Sequence, residues 1–358
     1  MSRPSVERIP VGSDSTVFLG AGLLADAATY LESPSGRFVL ISSRNAGEAA
    51  GAIRRALAGR LLADETLDDR EEAKTLSAVG RLADAALAAG LRRDDAIVAV
   101  GGGVTSDVAG FAAAILLRGV AWNAVPTTTG AMADAAIGGK TGVDHAAGKN
   151  LLGAFHPPRV ILIDPTAAAT LPDRDYRAGL VEAFKAAWIA DADLAGAIER
   201  GVEAILAREP DALLACIAGA VRVKARIVTS DPREGDRRRL LNFGHTLGHA
   251  FEAAGGFREL KHGEAVAWGI AAALEISRRR AGLAEGEAGR VRSALARLGP
   301  FPAPLRDPAV LAPFLARDKK ATALGIAGVL LETAGRARVE EAVPEREWLE
   351  AAAIMSLS

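Results

Sequence analysis

Residues 95–103 read DAIVAVGGG, a short unbroken apolar run that ends in three glycines. A run of this length and continuity predicts a strand buried on both faces, as in a parallel sheet. Sheets of that kind bind ligands just beyond the carboxyl ends of their strands. Three glycines there let the backbone come close to a ligand. The helix expected from Ser106 or Asp107 would offer its first amides to a pyrophosphate. The spacing is not the G-x-G-x-x-G of the common dinucleotide turn, and a tight glycine turn with no ligand is the plain alternative.

Outward from this stretch the same texture repeats. Residues 37–42 (RFVLIS) predict a second buried strand, closed by the polar turn Ser43, Arg44 and Asn45. Residues 46–62 are alanine-rich with arginines at helical spacing. Residues 74–91 are apolar at Leu76, Val79, Leu82, Ala86 and Leu87, so both segments predict helices. Residues 120–125 predict a strand that closes on Pro126, Thr127 and Thr128, and residues 160–163 (VILI) a last one before Asp164 and Pro165. Strands alternating with helices imply a parallel sheet covered on both faces. Between them, GGKTG at 138–142 and Gly148, Lys149 and Asn150 predict glycine-rich turns, whose lysines can wrap a phosphate or carboxylate. Solvated loop lysines are the competing reading, and the Gly-Lys-Thr lacks the spacing of a P-loop.

From about residue 166 the pattern becomes helical, at 177–188, 194–208, 210–228, 265–280 and 285–298, with hardly a strand before 326–331. The expected organisation is an α/β domain over residues 1–165 and a mostly α-helical domain over 166–358. The second half holds LLNFGHTLGHAFEAAGGFRELKHGE (240–264), with three of the five histidines. His245 and His249 are four apart and share one helix face. His262 follows a break at Gly255 and Gly256 that can turn a third imidazole back. Such a cluster suits a divalent metal, and a catalytic one keeps about three protein ligands and an open position, so one histidine can be spare. Two surface histidines and an unrelated third would look alike. Arg237, Arg238 and Arg239 directly precede the stretch, as a solvated face or an anion site.

Bulk properties narrow the classes. With 358 residues there is room for two cores, and 50% hydrophobic with 24% charged residues is ordinary for a globular chain. A formal net charge of −1 gives no global attraction to nucleic acid or an anionic membrane. Apolar runs such as 111–117 are too short to span a bilayer. One cysteine, Cys216, excludes an intrachain disulfide, and MSRPSVERIPVGSDS at the start lacks a signal-peptide core. The expectation is a cytoplasmic protein.

Six passages in order resemble the 3-dehydroquinate synthase family of sugar-phosphate cyclases, over nearly the whole chain. They are GGGVTSDVAGFAAAILLRG, VPTTTGAMADAAIGGKTGVDHAAGKNLLGAFHPP, TLPDRDYRAGLVEAFK, LLNFGHTLGHAFE, KHGEAVA and RDKK. The resemblance implies an α/β domain that binds NAD and a helical domain that holds Zn2+ or Co2+ through Glu182, His245 and His262. It implies cofactor contacts from Asn45, Glu71, Lys74, Gly102, Gly103, Asp107, Thr127, Thr128, Lys149 and Thr170. For the sugar-phosphate substrate it implies Asp134, Lys140, Asn150, Lys185, Lys224, Arg238, Asn242, His249 and one of Lys319 or Lys320. Arg118 is expected to reach the neighbouring subunit's substrate, hence a homodimer.

The implied reaction converts 3-deoxy-D-arabino-heptulosonate 7-phosphate to 3-dehydroquinate and phosphate by oxidation with NAD, β-elimination, reduction and intramolecular aldol closure. Ser43 departs from an aspartate frequent near the adenosine, Arg70 and Ser106 from glycines, Thr129 and Gly130 from a leucine pair, and Asp144 from an asparagine. The rivals are a sibling cyclase (2-deoxy-scyllo-inosose, valiolone or amino-dehydroquinate type), a metal-dependent NAD dehydrogenase of the glycerol type, and a non-catalytic relative.

Overall fold

A computed structural model describes residues 6–146, 148–316, 321–322 and 325–357. Lys319 and Lys320 lie outside the described residues. The chain divides into two compact units between Leu171 and Pro172.

The first unit opens with β1 (Glu7–Val11) and β2 (Ser15–Leu19), then β3 (Phe38–Ser43), α1 (Gly47–Ala56) and β4 (Leu61–Leu67). It continues through α2 (Leu76–Ala88), β5 (Ala96–Gly101), α3 (Gly103–Ile115) and β6 (Ala121–Pro126). It ends with β7 (Lys140–His145), β8 (Gly148–Phe155) and β9 (Val160–Ile163). Seven strands form one sheet in the order β1-β2-β9-β6-β5-β3-β4, parallel except for the β1–β2 pair. β7 and β8 make a separate antiparallel hairpin. Phe38, Leu40, Ala96, Val98 and Leu162 cluster on one face with Ala49, Ala50 and Ile53 of α1. Val39, Ile41, Ile97 and Ala99 alternate with them and are just as buried. Burial on both faces, worth about 1.5–3 kcal/mol for each large apolar side chain, is why these strands read as unbroken apolar runs.

Several expected boundaries differ. The helix expected over 46–62 ends at Ala56, and Gly59 (φ 76°) turns the chain into β4. β4 is an edge strand whose polar residues reach solvent, so it lacks the apolar run of its neighbours. α3 starts at Gly103, not at Ser106 or Asp107. The glycine-rich turns at 138–150 are largely hairpin strands. Gly142 pairs with Gly153, and a Cβ on Gly142 would lie 2.6 Å from Leu152 O, so these glycines serve close strand approach rather than a bend.

The second unit comprises α4 (Asp173–Ala190), α5 (Ala192–Leu206), α6 (Pro210–Ser230), α7 (His245–Ala254), α8 (His262–Arg280) and α9 (Glu285–Leu298). α10 (Pro308–Ala316), β10 (Ala321–Thr322), β11 (Gly325–Thr333), β12 (Arg336–Val343) and α11 (Glu345–Ile354) complete it. The three strands form an antiparallel sheet. β12 was not expected from its charge-rich sequence RARVEEAV.

A glycine seam sets the helix spacing in this unit. A Cβ on Gly263 of α8 would collide with Ala178 O of α4, and one on Gly269 with the carbonyl of Gly244, just before α7. Gly244 (φ 78°) is also confined, with Val266 O 2.8 Å from its would-be Cβ. The backbones of α4, α7 and α8 therefore touch. No described helix is long and apolar enough to cross a membrane.

Candidate functional site

In the first unit, the chain runs from β3 out to the edge strand β4 and returns through α2 to β5, on the other side of β3. That reversal makes the carboxyl ends of β3 and β5 a topological switch point, where open α/β sheets bind ligands. Ser43 to Asn45 and the three glycines stand there. A Cβ on Gly101 would lie 2.5 Å from Thr105 Oγ1 and 2.9 Å from Ser43 Cβ; one on Gly102 would lie 3.2 Å from Thr128 Cγ2. Thr127 N donates to Gly101 O at 2.9 Å, tying the ends of β5 and β6 together. The bare backbone, the first amides of the 13-residue α3 and the buried Thr105 hydroxyl, which has no hydrogen-bond partner among the described residues, fit a dinucleotide's pyrophosphate.

Beside α3, Lys74 is 4% exposed. Its Nζ donates to Asp107 Oδ2 at 2.5 Å and also to Asn150 Oδ1. Lys149 Nζ is 3.3 Å from Glu71 Oε1. Burial pushes Asp107 up to about 6, against the pull of the Lys74 ammonium. The structure thus gathers Glu71, Lys74, Asp107, Lys149 and Asn150 into one network. Asn150 has a left-handed backbone (φ 55°), and its N–H donates to Asp144 Oδ1 at 2.8 Å. Asp144 therefore anchors the hairpin, and burial raises its pKa.

Other expected residues are placed apart. Lys140 begins β7 opposite Phe155, four residues along the strand from Asp144, or roughly 13 Å. Asp134 is half-buried in the helical turn Ala131–Ala135, and Thr170 is exposed beyond β9. Arg118 is exposed, and both it (φ 67°) and Leu117 (φ 50°) are left-handed. Two such residues in succession carry backbone strain of the kind found at functional positions.

The departures have physical accounts. Arg70 has an extended backbone (φ −73°, ψ 150°) that needs no glycine, and it pairs with Asp68 at 2.6 Å. Ser106 is buried inside α3 without disturbing it. Ser43 Oγ donates to Asp69 Oδ2 at 2.6 Å, and Asn45 Nδ2 donates to both oxygens of Asp69 at 2.9 and 3.0 Å. A carboxylate is therefore present at the switch point although residue 43 is serine. Sequence reasoning missed Asp69, two residues beyond β4, a strand of which it had assigned only the first two residues, to a helix.

In the second unit, Glu182 and Lys185 project from α4, are 4% and 1% exposed, and form an ion pair. Among the described residues, neither Glu182 oxygen receives a hydrogen bond of good geometry. His245 and His262 are the first residues of α7 and α8, and their Nε2 atoms lie 4.0 and 3.7 Å from Glu182 Oε1. The 245 and 262 rings are 5.2 Å apart, so the break at Gly255 and Gly256 does return the third imidazole. A buried carboxylate paired with one ammonium and faced by two imidazoles fits a divalent cation. His249 is exposed, its ring 5.2 Å from that of His245. Partial desolvation opposes a charge on His262, yet the carboxylates of Glu252 and then Glu182 outweigh it and hold the ring up to about 9.

The surroundings fix these groups. Arg174 forms a two-pronged pair with Glu264, at 2.6 and 2.7 Å, and Glu264 Oε2 accepts from Lys261 N at 2.7 Å, tying the first turn of α8 to α4. Lys224 of α6 and Arg238 are buried. Asp231 accepts the backbone N–H groups of Gly235, Asp236 and Arg238, at 2.8, 2.8 and 3.0 Å, which shapes the loop carrying Arg238. Asn242 Nδ2 donates to Glu234 Oε1 at 3.2 Å. Of the triple arginine, Arg239 pairs with Glu341 at 2.8 Å.

Comparison with known proteins places the chain in a family. Residues 65–178 match the family described as 3-dehydroquinate synthase N-terminal, and residues 179–321 that described as 3-dehydroquinate synthase C-terminal. A 3-dehydroquinate synthase of Acidithiobacillus ferrooxidans (strain ATCC 53993 / BNL-5-31) is 40% identical over 334 residues, 92% of either chain. The chain belongs to the 3-dehydroquinate synthase family. It is accordingly an enzyme, a lyase of the shikimate pathway. Among solved structures, 2-deoxy-scyllo-inosose synthase complexed with carbaglucose-6-phosphate, NAD+ and Co2+ is similar with a TM-score of 0.88 and 27% identity, covering 98% of this chain and all of that one. ValA, the 2-epi-5-epi-valiolone synthase of Streptomyces hygroscopicus subsp. jinggangensis 5008 with NAD+ and Zn2+ bound, has a TM-score of 0.83 and 30% identity, covering 99% and 98%.

Proposed function

We propose that this member of the family converts 3-deoxy-D-arabino-heptulosonate 7-phosphate to 3-dehydroquinate and phosphate, in the cytoplasm and as a homodimer. The observation that carries the reading is the Glu182, His245 and His262 trio, a fitting metal site in a chain 40% identical to a curated dehydroquinate synthase. Identity to the two sibling cyclases is lower, 27% and 30%, which ranks them second.

The trio would hold the divalent metal, which when bound supplies Lewis-acid polarisation of the substrate alcohol. The glycine turn and the network around Lys74 would hold NAD, which when bound accepts and returns one hydride, with no net redox change. Lys185, Lys224, Arg238 and Asn242 would orient the carboxylate and hydroxyls, so that one bound geometry serves successive steps. The family resemblance points to Lys140, Asn150 and Arg118 of the first unit for the phosphate group, with Arg118 serving the partner's substrate. His249, exposed beside the trio, would move a proton.

The test is phosphate release from the heptulosonate phosphate with NAD and zinc, followed together with absorbance at the NADH band. Phosphate without net NADH is expected. NADH accumulating without phosphate would sink the reading in favour of a dehydrogenase, and silence in both would redirect the search to sibling cyclase substrates.

Asp69 we assign to the adenosine ribose of NAD, because a carboxylate at this switch point accepts from the ribose diol and repels a 2′-phosphate. Asp69→Asn should weaken NAD about tenfold, one hydrogen bond to a charged group, by calorimetric titration. Unchanged NAD affinity would remove the residue from the site.

A further inference from the structure

Glu252 has no role in the reading above, yet its position is specific. It follows His249 by three residues and His245 by seven, so all three share one face of α7. Its side chain is 4% exposed, and Oε2 lies 3.2 Å from His262 Nδ1. The other nitrogen of that ring, Nε2, is the one 3.7 Å from Glu182 Oε1. His245 repeats the arrangement with a different acceptor, its Nδ1 lying 3.2 Å from Phe243 O. A neutral imidazole has one N–H and one lone pair. An acceptor at Nδ1 places the proton there and leaves the Nε2 lone pair for a metal. Burying a carboxylate is costly unless it is paired, and His262 is a pairing partner here.

We propose that Glu252 is a positioning residue that accepts the Nδ1–H of His262 and fixes its tautomer and ring rotation, so that Nε2 faces the metal. The proposal rests on the metal reading given above. It also decides between two groups with metal-ligand geometry among the described residues: Glu182, His245 and His262, or His249, Glu252 and His262. In the second group Glu252 would itself be a ligand; in the first it holds a ligand from behind, as carboxylates commonly do for metal-bound histidine. His262 needs such a partner more than His245 does. Its side chain is 48% exposed against 11%, so packing alone leaves the ring free to turn.

The test compares zinc affinity, by competition with a chromophoric chelator, in the full-length wild type and in Glu252→Ala, Glu252→Gln and His262→Ala. Glu252→Ala should bind zinc about 10–100-fold more weakly. Glu252→Gln should stay within about threefold of wild type, because an amide oxygen still accepts from Nδ1–H. Wild-type affinity in Glu252→Ala overturns the proposal. So does a loss in Glu252→Gln as large as in Glu252→Ala, which would make the carboxylate a ligand. His262→Ala separates the two levels. If it keeps full zinc, the metal assignment itself fails; if it loses zinc while Glu252→Ala does not, only the positioning role fails. A measurement without variants guards against misfolding: in zinc-loaded wild type labelled with 15N-histidine, His262 should carry its proton on Nδ1 and its metal on Nε2. The reverse pattern overturns the proposal.

Discussion

The His262→Ala protein is expected to purify without stoichiometric zinc and to turn over at least about 10³-fold more slowly, the loss of several kcal/mol of Lewis-acid stabilisation. The reason is geometric. His262 Nε2 and His245 Nε2 approach the same oxygen of a buried carboxylate, and removing one imidazole leaves too few donors for a closed set of three. His249→Ala should behave differently. That ring is exposed and lies outside the trio, so zinc content should remain near wild type while turnover falls roughly 10²–10⁴-fold, the range for a lost proton-transfer group. Elemental analysis alongside the phosphate assay separates the two. Full zinc in the His262→Ala protein, or zinc lost from His249→Ala, would refute the ligand assignment.

Gly269→Ala should destabilise the protein by roughly 3 kcal/mol and lower the melting temperature by roughly 6–12 °C. One added methyl would run into the Gly244 carbonyl and stand 2.8 Å from Gly248 N. Both are backbone atoms, which cannot rotate aside as a side chain can. The helix must shift, and α8 carries His262, so zinc affinity should fall as well. Gly286→Ala is the control. It lies in the exposed first turn of α9 with nothing within 4 Å of the new methyl, and helix propensity alone should stabilise it by up to about 1 kcal/mol. A Gly269→Ala protein that melts with wild type would show that the seam can breathe.

Much of this was legible in the residues themselves. The strands at 38–43, 96–101, 121–126 and 160–163 are unbroken apolar runs because they are covered on both faces, and the sequence pattern found each within a residue. β4 and β12 escaped because edge or surface strands carry LLADETL and RARVEEAV, whose polar residues imitate a helix or a loop. The hairpin β7–β8 was read as turns because glycine usually signals a bend. Here Gly142 and Gly153 instead let two backbones meet. Helical spacing placed His245 and His249 on one face, but a sequence cannot say which imidazole turns towards Glu182, sixty-three residues before His245. Glu252 was legible: it stands at i+7 and i+3 from the two histidines, on the same helix face. Asp69 was out of reach, since its meeting with Ser43 and Asn45 depends on β3 and β4 being neighbours.

The glycine seam also bears on how this centre can change through descent. Adaptive walks proceed one substitution at a time, and at residues 244, 263 and 269 even alanine, the smallest first step, meets backbone. Gradual drift of the three helix axes is therefore closed off, along with the graded retuning of ligand distances that such drift would allow. Lineages can still exchange the ligand side chains or reshape the loops that lead into α7 and α8. Inheritance here holds the frame rigid and leaves novelty to the groups mounted on it.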